Sequence, residues 1–288
     1  MISGQIVAAH GRHFLVRTAR HSDLNCITRG RKLDVVCGDL VEVNLATADQ
    51  GVIEKVHPRS SLFKRADLFR SKPIAANVSQ VAIMLASRPS WSEDLLQRCL
   101  LAAESQHIPA LIIANKADLP EHQALLDALA GYPALGYPVI SLSARLGAGA
   151  LLERLQGQLT LLAGQSGMGK STLINALFPE ADAKVEAFSQ ALDSGRHTTT
   201  HSRLYRLDEN SAVIDSPGFQ EFALAHLSLA DIEAAMPEFR PYLGKCRFRD
   251  CRHLSEPGCA IRQAVTEGGV SPRRLDFFHS LIKEKSSR

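Results

Sequence analysis

The stretch Gly164-Gln165-Ser166-Gly167-Met168-Gly169-Lys170-Ser171-Thr172 decides the fold, together with a second string that stands ahead of it, Asn115-Lys116-Ala117-Asp118. The first fits G-x-x-x-x-G-K-[ST]. Its glycines let successive backbone N–H groups turn inward around phosphate oxygens, the lysine reaches the outer phosphates, and the Ser171 hydroxyl takes a Mg²⁺ position. Its flanks agree: the apolar run Leu159–Ala163 reads as a strand, and Ser171–Leu177 opens a helix whose N-terminus faces the phosphates.

Asn115–Asp118 follows Ala110–Ala114, a short apolar run that reads as a buried parallel strand. A carboxylate there accepts two hydrogen bonds, from guanine N1–H and the exocyclic amine. Adenine offers neither donor, so a buried Asp118 selects guanine. Further on, Ser143, Ala144 and Arg145 follow the apolar Pro138–Ile140, and their turn is positioned to buttress the base through backbone donors.

Downstream, Ala212–Asp215 reads as a strand ending in D-x-x-G. Asp215 would support the Mg²⁺ shell, and the Gly218 N–H would meet a γ-phosphate, making the segment after it a switch. Between loop and strand lies Gly195-Arg196-His197-Thr198-Thr199-Thr200, in which Thr198 or Thr199 completes the metal shell. The chain order is therefore base reading, base support, phosphate loop, first switch, second switch. An ordinary Ras-like domain begins with its phosphate loop, so this α/β domain is circularly permuted. The second switch then leads directly into whatever follows it.

Where Ras-type enzymes place a water-orienting Gln, this chain has Phe219, with Gln220 one place on. An apolar residue cannot align water, which predicts slow intrinsic hydrolysis that needs a partner. His197 is the internal substitute, since an imidazole orders water as an amide does. His226, beyond the second switch, ranks below it.

A second chemistry follows. Cys246, Cys251, His253 and Cys259 form C-x4-C-x-H-x5-C. Three thiolates and an imidazole without a carboxylate fit a closed, structural, tetrahedral Zn²⁺ site. A disulfide reading is disfavoured because Met1–His10 lacks a charged region followed by a long apolar core. Cys26, Cys37 and Cys99 stand alone and read as buried thiols.

The 288 residues are 45% hydrophobic, enough for real cores, and no apolar run reaches membrane-spanning length. The net charge of +3 is unevenly divided: +5 over residues 1–72, −5 over 73–225 and +3 over 226–288. Two basic flanks on an acidic centre point to a polyanion, with nucleic acid first among candidates. Short strand-like stretches at Ser3–Ala8, Phe14–Arg17, Leu24–Thr28, Asp39–Asn44 and Gly51–Val56 predict a small barrel of OB-fold type. Its aromatics are sparse (Phe14, Phe63, Phe69), so phosphate contacts through Arg12, Arg17, Arg29, Arg31 and Lys32 are expected rather than base stacking. Lys64–Pro73 reads as a polar connector, and Asn77–Ser87 begins the α/β domain. Trp91–Gln106, Gln123–Ala130, Leu229–Met236 and Pro272–Lys285 have helical patterning; Arg273 and Arg274 are read as phosphate contacts or as a solvated face.

The expectation is thus multidomain: an OB-fold β-barrel over residues 1–68, a circularly permuted α/β P-loop GTPase domain over 73–225, and a mainly α zinc-binding domain over 226–288. With Asn115–Asp118, Gly164–Thr172, Gly195–Thr200, Asp215–Phe219 and Cys246–Cys259 in this order, the chain resembles the RsgA (YjeQ) family of bacterial GTPases that assist late maturation of the small ribosomal subunit. The resemblance implies GTP hydrolysis stimulated by the small subunit and binding near the decoding region of its rRNA. GTP favours the bound state and hydrolysis favours release. The chain begins almost directly on its barrel, without the longer extension of some relatives. A cytoplasmic monomer with one Zn²⁺, and Mg²⁺ carried with GTP, completes the expectation. Two rival classes predict differently. A constitutive NTP hydrolase or kinase would turn over without a partner. An RNA-binding factor with a merely structural nucleotide would loosen when Lys170 is lost.

Overall fold

The computed structural model describes residues 1–19, 23–29, 34–66, 71–179, 202–218 and 222–286. Ile6, Phe14, Val16, Leu24, Val41, Val43 and Ile53 point inward from the first five strands and form one buried cluster. The strands are β1 (Ile2–His10), β2 (His13–Thr18), β3 (Leu24–Thr28), β4 (Leu40–Leu45) and β5 (Gln50–Val56). They run in the order β1-β2-β3-β5-β4, and β4 pairs back to β1, closing a five-stranded barrel. Phe14 and Phe63 are buried, so neither offers a ring for stacking. Arg17 is held internally by both carboxylate oxygens of Asp23, at 3.0 and 2.7 Å, which corrects its reading as a free phosphate contact. Arg12 and Arg29 are exposed, Arg29 lying 3.6 Å from Glu54; Arg31, Lys32 and Phe69 lie outside the described residues.

Lys64–Pro73 is not a plain connector. Strands β6 (Leu62–Ala66) and β7 (Ser71–Ala76) form an antiparallel hairpin. Its apolar members Phe63, Ile74 and Ala75 flank the polar stretch and bury in the same cluster as the α/β domain, with Phe63 5.9 Å from Phe222. A boundary at residue 68 falls inside this hairpin.

The α/β sheet contains β8 (Gln80–Ala86), β9 (Ala110–Asn115), β10 (Val139–Ser141), β11 (Leu159–Ala163), β12 (Ser202–Arg206) and β13 (Ala212–Asp215). Their order is β10-β9-β8-β11-β13-β12, with β12 antiparallel to β13 and the other neighbours parallel. Near-continuous apolar runs such as Val81–Ala86 are what a sheet covered on both faces requires. The cover comes from α1 (Glu93–Glu104), α2 (His122–Leu129), α3 (Gly149–Leu155) and α4 (Lys170–Leu177). Chain order runs outward from β8 to β10 and then returns beside β8 as β11, so strand direction of travel reverses between β8 and β11. Ligands of open α/β sheets bind at the carboxyl ends of strands at such a point.

Barrel and α/β domain share one hydrogen-bonded sheet of eleven strands. The second edge of β1 is divided. Ile2–Gln5 pair with β4, and beyond an irregularity between Ile6 and Ala8, Ala8 and Ala9 pair with Arg203 and Ser202 of β12. Arg206 also donates to the Gln5 side chain at 2.7 Å. The strand between the two predicted switches is therefore the one that carries the barrel.

The C-terminal part is mainly helical: α5 (Leu229–Ala234), α6 (Ala260–Thr266) and α7 (Pro272–Ser286). Phe277, Phe278, Leu281 and Ile282 of α7 join the large core that includes α1 and the hairpin. Arg274 corrects both sequence readings. It is buried, its Nε donates to Glu238, and its Nη1 donates to Gln97 of α1 at 3.1 Å. It therefore ties α7 to the α/β domain. Removing one member of a buried pair leaves an uncompensated charge, so Arg274→Met should cost about 3–5 kcal/mol. Urea unfolding checks this, and adding Glu238→Leu should restore most of the loss. Among the described residues no helix is long and apolar enough to cross a membrane.

Candidate active site and metal centre

Four loops converge at the carboxyl ends of the parallel strands. The loop after β11 runs from Gly164 to Gly169, and α4 starts at Lys170. At Gly169 φ is +100°, and a Cβ would stand 2.4 Å from Asn115 Nδ2, so only glycine fits between the two motifs. Asn115 itself joins three segments: its Nδ2 donates to Met168 O at 2.8 Å, and its Oδ1 accepts from Ala144 N at 2.9 Å. Lys116 Nζ donates to Gly167 O at 2.9 Å and to Arg88 O. Base loop and phosphate loop are thus bound together by protein groups.

The Ser143 hydroxyl donates to Asp118 Oδ1, and this bond, followed by backbone N–H, Arg145 and Lys116, holds the carboxyl below its usual range. Asp118 is ionised but exposed, not buried as the sequence argument assumed. The Ala144 amide is already committed to Asn115, so the turn supports the reading loop rather than offering that donor to a ligand.

Lys170 folds back over the loop, its Nζ donating to Gly164 O at 2.8 Å and Gln165 O at 2.9 Å. Burial lowers its pKa, opposed by Asp215. Asp215, at the end of β13, is pushed up to about 6 by burial, against the pull of Lys170 and Arg203. Its Oδ1 is buried without a hydrogen-bond partner, the condition of an acceptor awaiting a hydrated cation. The exposed Ser171 hydroxyl at the start of α4 supplies the matching oxygen, so the donor set fits Mg²⁺. Gly218 lies over the phosphate loop: a Cβ there would be 3.0 Å from Ser166 N and 3.3 Å from Lys170 Nζ. His197, Thr198, Thr199, Phe219 and Gln220 lie outside the described residues. Partial desolvation of the His226 ring first, then Lys64 and Lys285, lower its pKa, and Asp231 opposes them. These neighbours belong to the hairpin and C-terminal helices, not to the phosphate loop.

The second centre is Cys246, Cys251, His253 and Cys259, whose ligand atoms all lie within 4.8 Å of one another. His253 Nδ1 stands 3.2 Å from Cys259 Sγ and 3.6 Å from the sulfurs of Cys246 and Cys251. Tetrahedral zinc with bonds of about 2.0–2.3 Å separates such atoms by about 3.5–3.8 Å, so the set fits. Backbone N–H groups of Ala260 and Arg262 donate to Cys246 and Cys259. Cys26, Cys37 and Cys99 are free and buried, and burial raises all three.

Two contributors had weak sequence signals. Arg88 acts through its carbonyl, which no side-chain pattern reveals. Glu233, 3.6 Å from His253 Nε2, lies at the rim of the buried face made by Ile232, Ala235 and Met236, where a helical projection would have found it.

The sequence model of the RsgA GTPase family matches residues 56–225. The small ribosomal subunit biogenesis GTPase RsgA of Nitrosospira multiformis is 52% identical over 282 residues, 98% of this chain and 90% of the relative. The protein of that name from Neisseria meningitidis is 49% identical over 282 residues, 98% of this chain and 92% of the relative. Among solved structures, YjeQ from Thermotoga maritima aligns with a TM-score of 0.75 at 27% identity, over 100% of this chain and 99% of that one. YloQ, described as a circularly permuted GTPase, aligns with a TM-score of 0.72 at 27% identity, over 100% and 96% of the two chains.

Proposed function

Since the chain belongs to the RsgA GTPase family and hydrolyses GTP, we propose that its GTPase cycle is triggered by the small ribosomal subunit and governs its release from that subunit during late maturation. The observation that supports the residue assignments is the junction of Asn115 and Lys116 with the phosphate loop, over which Gly218 also lies, beside Lys170.

In this reading Asp118 takes guanine, with Ser143 and Ala144 supporting the loop that carries it. The amides of Gly164 to Thr172 and the Lys170 amine hold the phosphates, and Gly218 N–H reads the γ-phosphate. Mg²⁺ brought with GTP would be held by Ser171 and by Thr198 or Thr199, backed by Asp215, and would neutralise charge on the phosphate oxygens. His197 orders the attacking water once rRNA has shaped the first switch, so catalysis is positioning plus electrostatic stabilisation. Release follows from connectivity: loss of the γ-phosphate frees Gly218, and the chain beyond it leads straight into α5. The basic barrel and zinc domain contact rRNA, and one structural Zn²⁺ per chain holds the C-terminal loop. The protein acts as a cytoplasmic monomer, because its partner is a single large asymmetric particle.

The deciding experiment is GTP hydrolysis alone, with small subunits and with large subunits. A selective rise with small subunits is expected; equal rates in all three would remove the ribosomal trigger. A pH effect follows from Asp215. With its pKa raised to about 6, a proton competes with Mg²⁺ below that value, so Mg²⁺ affinity of the GTP complex should be flat above about pH 7 and fall about tenfold per unit below pH 6. Magnesium titrations at several pH values check this, and Asp215→Asn should flatten the profile.

A further inference from the structure

We propose that Glu233 is a positioning residue of the metal centre, fixing the tautomer and orientation of His253 and thereby fastening α5 to the zinc loop. The inference rests on the reading of the four-ligand cluster as a metal site.

His253 is held on every side. Its backbone has φ +60°, uncommon for a residue with a side chain, and its carbonyl accepts from His279 Nε2 at 2.8 Å. Phe239 and Phe278 pack around the ring, with centroids at 6.2 and 5.8 Å. In that apolar slot the two ring nitrogens have different surroundings. Nδ1 faces three sulfurs at 3.2–3.6 Å, and Nε2 faces Glu233 Oε1 at 3.6 Å. A ligating Nδ1 must be free of its proton, so the ring hydrogen sits on Nε2 and points toward the carboxylate. A carboxylate behind a ligating imidazole fixes the ring and makes it a better donor. The added negative charge is offset in sequence by Arg247, Arg249, Arg252 and Arg262, which outnumber Asp250 and Glu256 around the ligands.

Glu233 also sits where the second switch delivers its chain. Helix α5 begins at a capping box between Ser228 and Asp231, just after Leu227, whose carbonyl accepts from Lys285 Nζ. Glu233 is in the last turn of that helix. Metal binding and the seating of α5 therefore support each other through one side chain, which is only 23% exposed.

The test uses the full-length protein as wild type, Glu233→Ala and Glu233→Gln. Zinc content and the rate of zinc transfer to a colorimetric chelator are measured, with the visible spectrum of each Co²⁺-substituted protein. Glu233→Ala should release zinc 10–100-fold faster and shift the cobalt bands. Glu233→Gln should lie close to wild type, since its amide oxygen still faces Nε2–H; that rescue separates positioning from a loss of fold. Amide exchange of residues 229–234 should rise on chelation in wild type and be already high in zinc-loaded Glu233→Ala. A wild type holding one zinc, with release and cobalt spectrum unchanged in Glu233→Ala, overturns the proposal. A folded wild type with no zinc overturns the metal reading beneath it.

Discussion

Asp118→Asn should move nucleotide preference from GTP toward xanthosine triphosphate, with GTP affinity falling about 10²–10⁴-fold. The magnitude follows from two hydrogen bonds to a charged group, each worth about 1.5–3 kcal/mol. Asp118 is ionised in the free protein, held by Ser143, and exposed. In the proposed reading the base that it selects is what desolvates it. An asparagine turns an acceptor into a donor and faces the xanthine carbonyl instead of the guanine amine. The loop should survive the change, because its anchors are Asn115 and Lys116. Competition binding with the two triphosphates measures the switch, and unchanged preference would show that Asp118 does not read the base.

Lys170→Ala should lower small-subunit-stimulated hydrolysis by about 10²–10³-fold, the usual loss when one preorganised donor to developing charge is removed. Lys170 is desolvated and lies next to the position where Gly218 closes over the loop. Because Lys170 is buried, its charge acts at low screening. The amine also tethers the Gly164 and Gln165 carbonyls, so some loosening of the nucleotide-free protein is expected in the alanine variant. Lys170→Met retains the packed stem, and single-turnover rates of both variants separate charge from packing. If thermal stability collapses in both while the rate per bound nucleotide is unchanged, GTP is a structural ligand and the switch reading falls.

Much of the architecture was legible because its signals are local. Alternation in Ile6, Phe14, Val16, Val41, Val43 and Ile53 announces the barrel, and apolar runs ending in Asn115, Gly164 and Asp215 announce parallel strands that deliver loops to one edge. The permutation is a matter of order alone. What escaped depends on partners distant in sequence. The hairpin of β6 and β7 hides behind a charged stretch, since its apolar signal is only Phe63, Ile74 and Ala75. Arg274 reads as surface until Glu238 and Gln97, from two other segments, are brought against it. The exposure of Asp118 depends on loop depth, which no spacing encodes.

The division of the edge of β1 has a consequence for how the molecule is made. All five barrel strands lie within residues 2–56, so the ring can close soon after that stretch leaves the ribosome that synthesises it. Yet the outer edge of β1 at Ala8 and Ala9 must wait for Ser202 and Arg203, almost two hundred residues later, before it is paired. Such pairings of high sequence separation form late and leave an open edge in the interim. The first strand to emerge is thus among the last to be completed. A nascent chain stopped short of β12 leaves this part of the β1 edge unpaired, and full-length synthesis is what seals it.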